Sequence, residues 1–182
     1  MNNKEQLKNL IAKLAIKRGE VTLASGAKAD YYIDCRKVTL DSIGAALIGN
    51  AIFEMLSANL PDAIGGMAIG ADPITGSVIS VAGGHGKQIS GFIVRKEEKK
   101  HGMAQMVEGP IQAGQSAIMV EDVVTTGGSS LKAIKYAEEA GLNVKGIVCI
   151  VDRLAGGRAK FEELGITFQS LFTIEDFGLT PN

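Results

Sequence analysis

Apolar residues recur along the chain in two alternating rhythms. Leu7, Leu10, Ile11, Leu14 and Ala15 fall at i, i+3, i+4, i+7 and i+8, one stripe down a first helix that Gly19 can end. VTLASGAKADYYIDC then sets two β-prone runs about Ser25-Gly26-Ala27-Lys28, which predicts a hairpin or a short flap over a sheet. Ile43 to Leu60 predicts a helix ended by Pro61, AIGGMAIG a buried strand, and PITGSVISVAGG a helix opened by Pro73. KQISGFIV predicts a strand, RKEEKKHGMAQMVEGP a polar loop and QSAIMV another strand. The alternation continues with a helix over Ser129 to Ala140, a strand over VKGIVCIV, a helix over Ala159 to Leu164 and a last strand over ITFQSLF. Short apolar strands alternating with longer helices predict an α/β fold, a mostly parallel central sheet with helices on both faces.

Composition narrows the function. A length of 182 residues fits one domain with a single core, and 46% apolar with 21% charged residues is the balance of an ordinary folded domain. A net charge of -1, with few aromatics and no Trp, offers neither a basic field nor stacking platforms for a nucleic acid, so no nucleic-acid partner is expected. The longest apolar stretch, Ala63 to Ala71, is far too short to span a bilayer, and the N-terminal charges are scattered. No membrane association and a cytoplasmic location are the expectation. Cys35, Cys149, His85 and His101 show no ligand spacing, so no metal site held by the protein is expected, and the cysteines read as small buried thiols.

Ligands of an open parallel sheet bind beyond the carboxyl ends of its strands, which directs attention to three places. After QSAIMV, the carboxylates Glu121 and Asp122 lead through Val123 and Val124 into Thr125-Thr126-Gly127-Gly128-Ser129, a hydroxyl- and glycine-rich turn entering a helix. Backbone N–H groups at such a helix start favour a phosphate, whereas carboxylates repel one and instead accept hydrogen bonds from hydroxyls. The combination fits a sugar phosphate; the Gly-Gly turn alone would read more readily as a plain capped helix, and the acidic pair at the strand end reverses that preference. No Gly-Lys-Ser/Thr follows, so this is not a nucleotide-triphosphate loop, and it is not the GxGxxG pattern. At the end of KQISGFIV, Arg95, Lys96, Lys99, Lys100 and His101 crowd into seven residues before Gly102, a cationic loop able to close over an anion or an ordinary solvated one. Asp152-Arg153 follows VKGIVCIV and reads either as a surface ion pair or as a ligand-binding arginine.

VEDVVTTGGSS resembles the 5-phosphoribosyl 1-diphosphate (PRPP) motif of type I phosphoribosyltransferases. FIVRKEEKKHG, VDR and LASGAKADYYIDCRK are similar to the catalytic loop, the base-binding Asp-Arg and the N-terminal Ser-Gly segment of the orotate branch of that family. The resemblance, running from Val21 to Phe172, implies one phosphoribosyltransferase domain over residues 1–182 with a small N-terminal hood of about residues 1–40. It implies transfer of ribose 5-phosphate from PRPP to orotate in pyrimidine biosynthesis, giving orotidine 5′-monophosphate and diphosphate. By the same resemblance Arg95, Lys96, Lys99 and His101 bind the diphosphate, Glu121 and Asp122 the ribose, Val123 through Ser129 line the PRPP site with the 5′-phosphate on Thr125–Ser129, and Thr125 with Arg153 bind orotate. Lys99, His101 and Asp122 are the implied catalytic residues, Mg²⁺ the implied cofactor, carried by the diphosphate, and a homodimer sharing loop 96–109 the implied assembly. Two positions depart from the pattern: Ala24 stands where many members have Lys, and Gly70-Ala71-Asp72-Pro73-Ile74 where many carry an aromatic-Lys pair. Transfer to another purine or pyrimidine base, or a non-catalytic PRPP-binding regulator, are the alternatives.

Overall fold

The structure is a computed structural model that describes residues 2–22, 28–97 and 105–181. Helix α1 (Asn3–Leu14) is opened by Asn2, whose side chain accepts the Glu5 N–H at 2.8 Å, and it buries Leu7 and Ile11 from the stripe. It stops at Leu14, short of Gly19, because β1 (Ile16–Thr22) pairs antiparallel with β2 (Lys28–Ile33). Gly19, with φ +104°, lies inside β1 where the register shifts between Arg18 and Val21. It is a bulge residue that keeps the strand paired, not a helix stop. The predicted hairpin is present, although Ala24 and the Ser25-Gly26-Ala27 turn lie outside the described residues.

Next come α2 (Arg36–Thr39), too short to show periodicity, and α3 (Ser42–Leu56), whose first N–H groups are held by Asp41. α3 ends four residues before Leu60: the Ser57 hydroxyl donates back to the Glu54 carbonyl at 2.7 Å, and Pro61 disfavours helix at its predecessor. The rest alternates as β3 (Ala63–Met67), α4 (Asp72–Gly84), β4 (Ser90–Val94), β5 (Val107–Glu108), β6 (Ser116–Val124), α5 (Gly128–Glu139), β7 (Asn143–Asp152), α6 (Gly157–Glu163) and β8 (Thr167–Thr173), followed by a 3₁₀ turn at Ile174–Phe177. β5 lies within the predicted polar loop; two residues are too few to register as an apolar run.

The main sheet has the order β5-β4-β3-β6-β7-β8, parallel except for β5 at the edge. Numbered by sequence, its five parallel strands run 2-1-3-4-5, so the crossover direction reverses between β3 and β6. Successive strand residues serve two cores. Ile64, Val120, Val148 and Ile150 pack with Ile48 and Ile52 of α3 and Ile74 and Val78 of α4; Ala63, Met119, Ile147 and Cys149 pack with Ala133 and Ile134 of α5 and Phe161 of α6. Burial on both faces explains why these strands read as unbroken apolar runs. The β1–β2 hairpin docks through Tyr31, in the first core, and through Arg18, which donates to the Phe177 carbonyl at 2.6 Å.

Phe161 is fully buried and stacks on Phe168 with ring centroids 5.4 Å apart. Phe161→Ala should lower the unfolding free energy by about 3–5 kcal/mol through the cavity it opens. A shift of the urea midpoint corresponding to less than about 1 kcal/mol would contradict that packing role.

Candidate active site

A cleft of about 340 Å³ opens at the carboxyl ends of β3 and β6, where the crossovers diverge. Its wall is assembled from Ala68, Ile69 and Gly70 after β3, Glu121, Asp122 and Val123 of β6, Thr125 and Ser129 beyond it, Lys96, Arg153, and Tyr31, Tyr32, Asp34 and Arg36 from the hairpin side.

β6 does not end at Val120. It continues to Val124, with Val123 opposite Val151 and Val124 opposite Asp152, so Glu121 and Asp122 lie within the ladder rather than after it. The two carboxylates have different partners. Glu121 is 7% exposed and accepts the Ser130 hydroxyl at 2.9 Å and the Ser129 hydroxyl at 3.3 Å, which ties β6 to the first turn of α5. Burial, and then the adjacent charge of Asp122, push its carboxyl up to about 7. Asp122 accepts the Val123 N–H at 2.9 Å and lies against Gly70, where a Cβ would stand 2.9 Å from its Oδ1. Any side chain at Gly70 would therefore displace that carboxylate.

The turn into α5 is held from behind. The Thr125 carbonyl accepts the Gly157 N–H at 3.1 Å, and the Thr126 carbonyl accepts the Lys160 ammonium at 3.2 Å. Gly127 takes φ +77°, and a Cβ there would lie 2.8 Å from the Phe161 ring, so the position requires glycine on both counts. Gly127 brings no side-chain cap, which leaves the first N–H groups of α5 suited to an anion.

Arg153 follows β7, with its N–H on the Val124 carbonyl at 2.9 Å. Asp152, fully buried, accepts the Leu154 N–H at 2.8 Å and has Arg158 Nε 3.6 Å from its other oxygen, so this carboxylate shapes the turn and is not a surface charge. The Arg153 guanidinium lies over the Tyr31 ring, 5.1 Å from its centroid. Across the cleft wall, Arg36 grips Asp34 through two bonds of 2.7 and 3.1 Å, and this pairing holds the Asp34 carboxyl below the usual carboxylate range.

Of the residues singled out in the sequence, Lys96, Glu121, Asp122, Val123, Thr125, Ser129 and Arg153 share the cleft wall. Thr126, Gly127 and Gly128 complete the turn beside it, while Val124 points into the core. Arg95 turns toward β5 and pairs with Glu108 at 3.3 Å. Lys99 and His101 lie outside the described residues. Tyr31, Tyr32, Asp34 and Arg36 were given no role by their sequence pattern; adjacent aromatics followed by an acid and a base were the available signal.

With this geometry in view, the chain proves 53% identical over 173 residues to the orotate phosphoribosyltransferase of Rhodopirellula baltica, covering 92% of this chain and 90% of that protein. The chain belongs to the orotate phosphoribosyltransferase family. No family model matches it. Among solved structures, Mycobacterium tuberculosis orotate phosphoribosyltransferase in complex with Fe(III) dicitrate superposes with a TM-score of 0.87 at 36% identity, covering 98% of this chain and all of that one. The same enzyme in complex with PRPP superposes at 0.84 and 33% identity, with the same coverage. Its type I phosphoribosyltransferase fold is thus shared, the cleft lying at the reversal of the sheet.

Because the folded-state pKa of Glu121 is raised, its protonated form contributes stability that is complete below its ordinary value of 4.5 and is lost as pH rises through about 7. In the ligand-free protein the urea midpoint should fall between pH 5 and pH 8, and Glu121→Gln should flatten that fall. An equal slope in the variant would assign the pH dependence to another group.

Proposed function

We propose that the chain transfers the 5-phosphoribosyl group of PRPP to N1 of orotate, yielding orotidine 5′-monophosphate and diphosphate for pyrimidine synthesis. The observation that carries this reading is a single cleft holding a hydroxyl-accepting carboxylate, an uncapped helix start and a guanidinium. These match the three parts of the reaction: ribose, 5′-phosphate and a planar carboxylate-bearing base. Asp122 receives the ribose hydroxyls at the cleft wall, and Glu121 braces Ser129 and Ser130 beneath the phosphate turn. The 5′-phosphate rests on the Thr125–Ser129 turn, and the Arg153 fork takes the orotate carboxylate.

In the reaction the electron pair of the C1′–O bond leaves with diphosphate while N1, giving up its proton, bonds to C1′. Positive charge grows on the ribose ring near Asp122, and negative charge grows on the departing group. Lys96 is a cation on the cleft wall for that group; by resemblance Arg95, Lys99 and His101 join it, the last two on a loop, 96–109, shared between the subunits of a homodimer. Asp34 and Asp122 on the cleft wall are hard oxygen donors of the kind Mg²⁺ accepts and would face such an ion carried by PRPP, whose charge would offset that of the diphosphate. The hood and the sheet work as one domain, since the cleft draws residues from both. Among the described residues no helix is long and apolar enough to cross a membrane, and the cytoplasm is the proposed location.

Incubation with Mg²⁺–PRPP and, in parallel, orotate, uracil, adenine or hypoxanthine should consume orotate alone. Release of diphosphate with another base only, or PRPP binding without turnover, would overturn the assignment. Lys99→Ala should lower turnover on the order of 10²–10³-fold with Mg²⁺–PRPP binding retained, as for loss of one charge contact to a developing anion. Near-normal turnover would remove Lys99 from the catalytic group.

A further inference from the structure

We propose that the phenol of Tyr31 is a positioning residue for Arg153, so that the N-terminal hairpin sets the affinity of the base subsite. The inference deepens the assignment of Arg153 to the base carboxylate and rests on it.

Tyr31 is unusual for a tyrosine on a two-stranded hairpin: it is 1% exposed and among the largest fully buried side chains. A buried phenol needs a partner for its hydroxyl. The partner here is Arg153 Nε, which donates to the Tyr31 oxygen at 3.4 Å, while the guanidinium carbon sits 5.1 Å from the ring centroid. The two residues are 122 apart in sequence, Tyr31 on the hairpin and Arg153 just beyond the end of β7 in the main sheet. The ring fixes the height of the guanidinium plane, and the hydroxyl, by engaging Nε, fixes its rotation.

That choice of nitrogen matters. With Nε turned to Tyr31, the two terminal nitrogens remain as the parallel pair of donors that a planar carboxylate accepts. The backbone of Arg153 is fixed separately by the Val124 carbonyl and by the Asp152–Leu154 turn, so what is left to set is the side-chain rotation alone. Arginine loses several rotatable bonds on binding, and a host that has already frozen them binds its ligand more tightly. The role therefore falls on orotate affinity, not on the chemical step or on PRPP.

Tyr31→Phe keeps the ring and its burial and removes only the oxygen. The expected result is a rise in KM for orotate of about five- to tenfold, the size of one modest hydrogen-bond effect, with kcat and KM for PRPP within about twofold of the parent. On an Arg153→Ala background the same change should add nothing further. A rise in both KM values together, an effect on kcat alone, or full additivity with Arg153→Ala would overturn the positioning role. If Arg153→Ala itself leaves KM for orotate unchanged, the base-subsite assignment falls; if it raises that KM while Tyr31→Phe does not, only the present inference falls. A thermal midpoint for Tyr31→Phe within a few degrees of the parent confirms that the comparison is between folded proteins.

Discussion

The reversal of crossover direction between β3 and β6 is the constraint from which the rest of the site follows. α4 carries the chain to one side of β3, and α5 carries it to the other side of β6. Two helices that depart in opposite senses leave the adjoining strand ends uncovered, and a gap opens that apolar packing does not fill. The gap holds its shape because both pleats beneath it are buried: Ile64 and Val120 face one core, Ala63 and Met119 the other. Side chains at the ends of β3, β6 and β7 are thereby aimed at one volume from three segments distant in sequence.

This dependence explains which features were legible in the sequence. The alternation of strands and helices could be read because a parallel strand buried on both sides must be apolar throughout, as Gly146 to Val151 of β7 is. The turn into α5 could be read as a helix start because Thr, Gly and Ser in succession suit one. The extent of β6 could not: a charged residue ordinarily ends an apolar run, yet Glu121 and Asp122 stay in the ladder because β7 continues to pair with them through Asp152. Gly19 misled for a related reason, since a glycine that ends a helix and one that seats a β-bulge share the same positive φ.

The hairpin side of the cleft was the least legible part. Tyr31 and Tyr32 of β2, Asp34 after it and Arg36 at the start of α2 are remote in sequence from the other wall residues and meet them only through the fold. Their alternation, Tyr31 buried and Tyr32 partly exposed, follows from strand geometry, but what each side faces is decided by docking of the hairpin onto the larger body. Local pattern specifies the faces of an element; only tertiary contact names the neighbour.

The chain is nearly neutral, yet its cleft gathers three carboxylates beside Lys96, Arg36 and Arg153. A free cleft carrying all three acids ionised would repel an anionic sugar phosphate. Two local arrangements reduce that repulsion: Asp34 is held by the Arg36 fork, and Glu121, buried beside Asp122, retains its proton toward neutral pH. Hydroxyls that donate to this acidic pair favour its ionised form, whereas a bare phosphate does the opposite. In the proposed reading, a phosphate that brings ribose hydroxyls supplies Asp122 with donors that inorganic phosphate lacks.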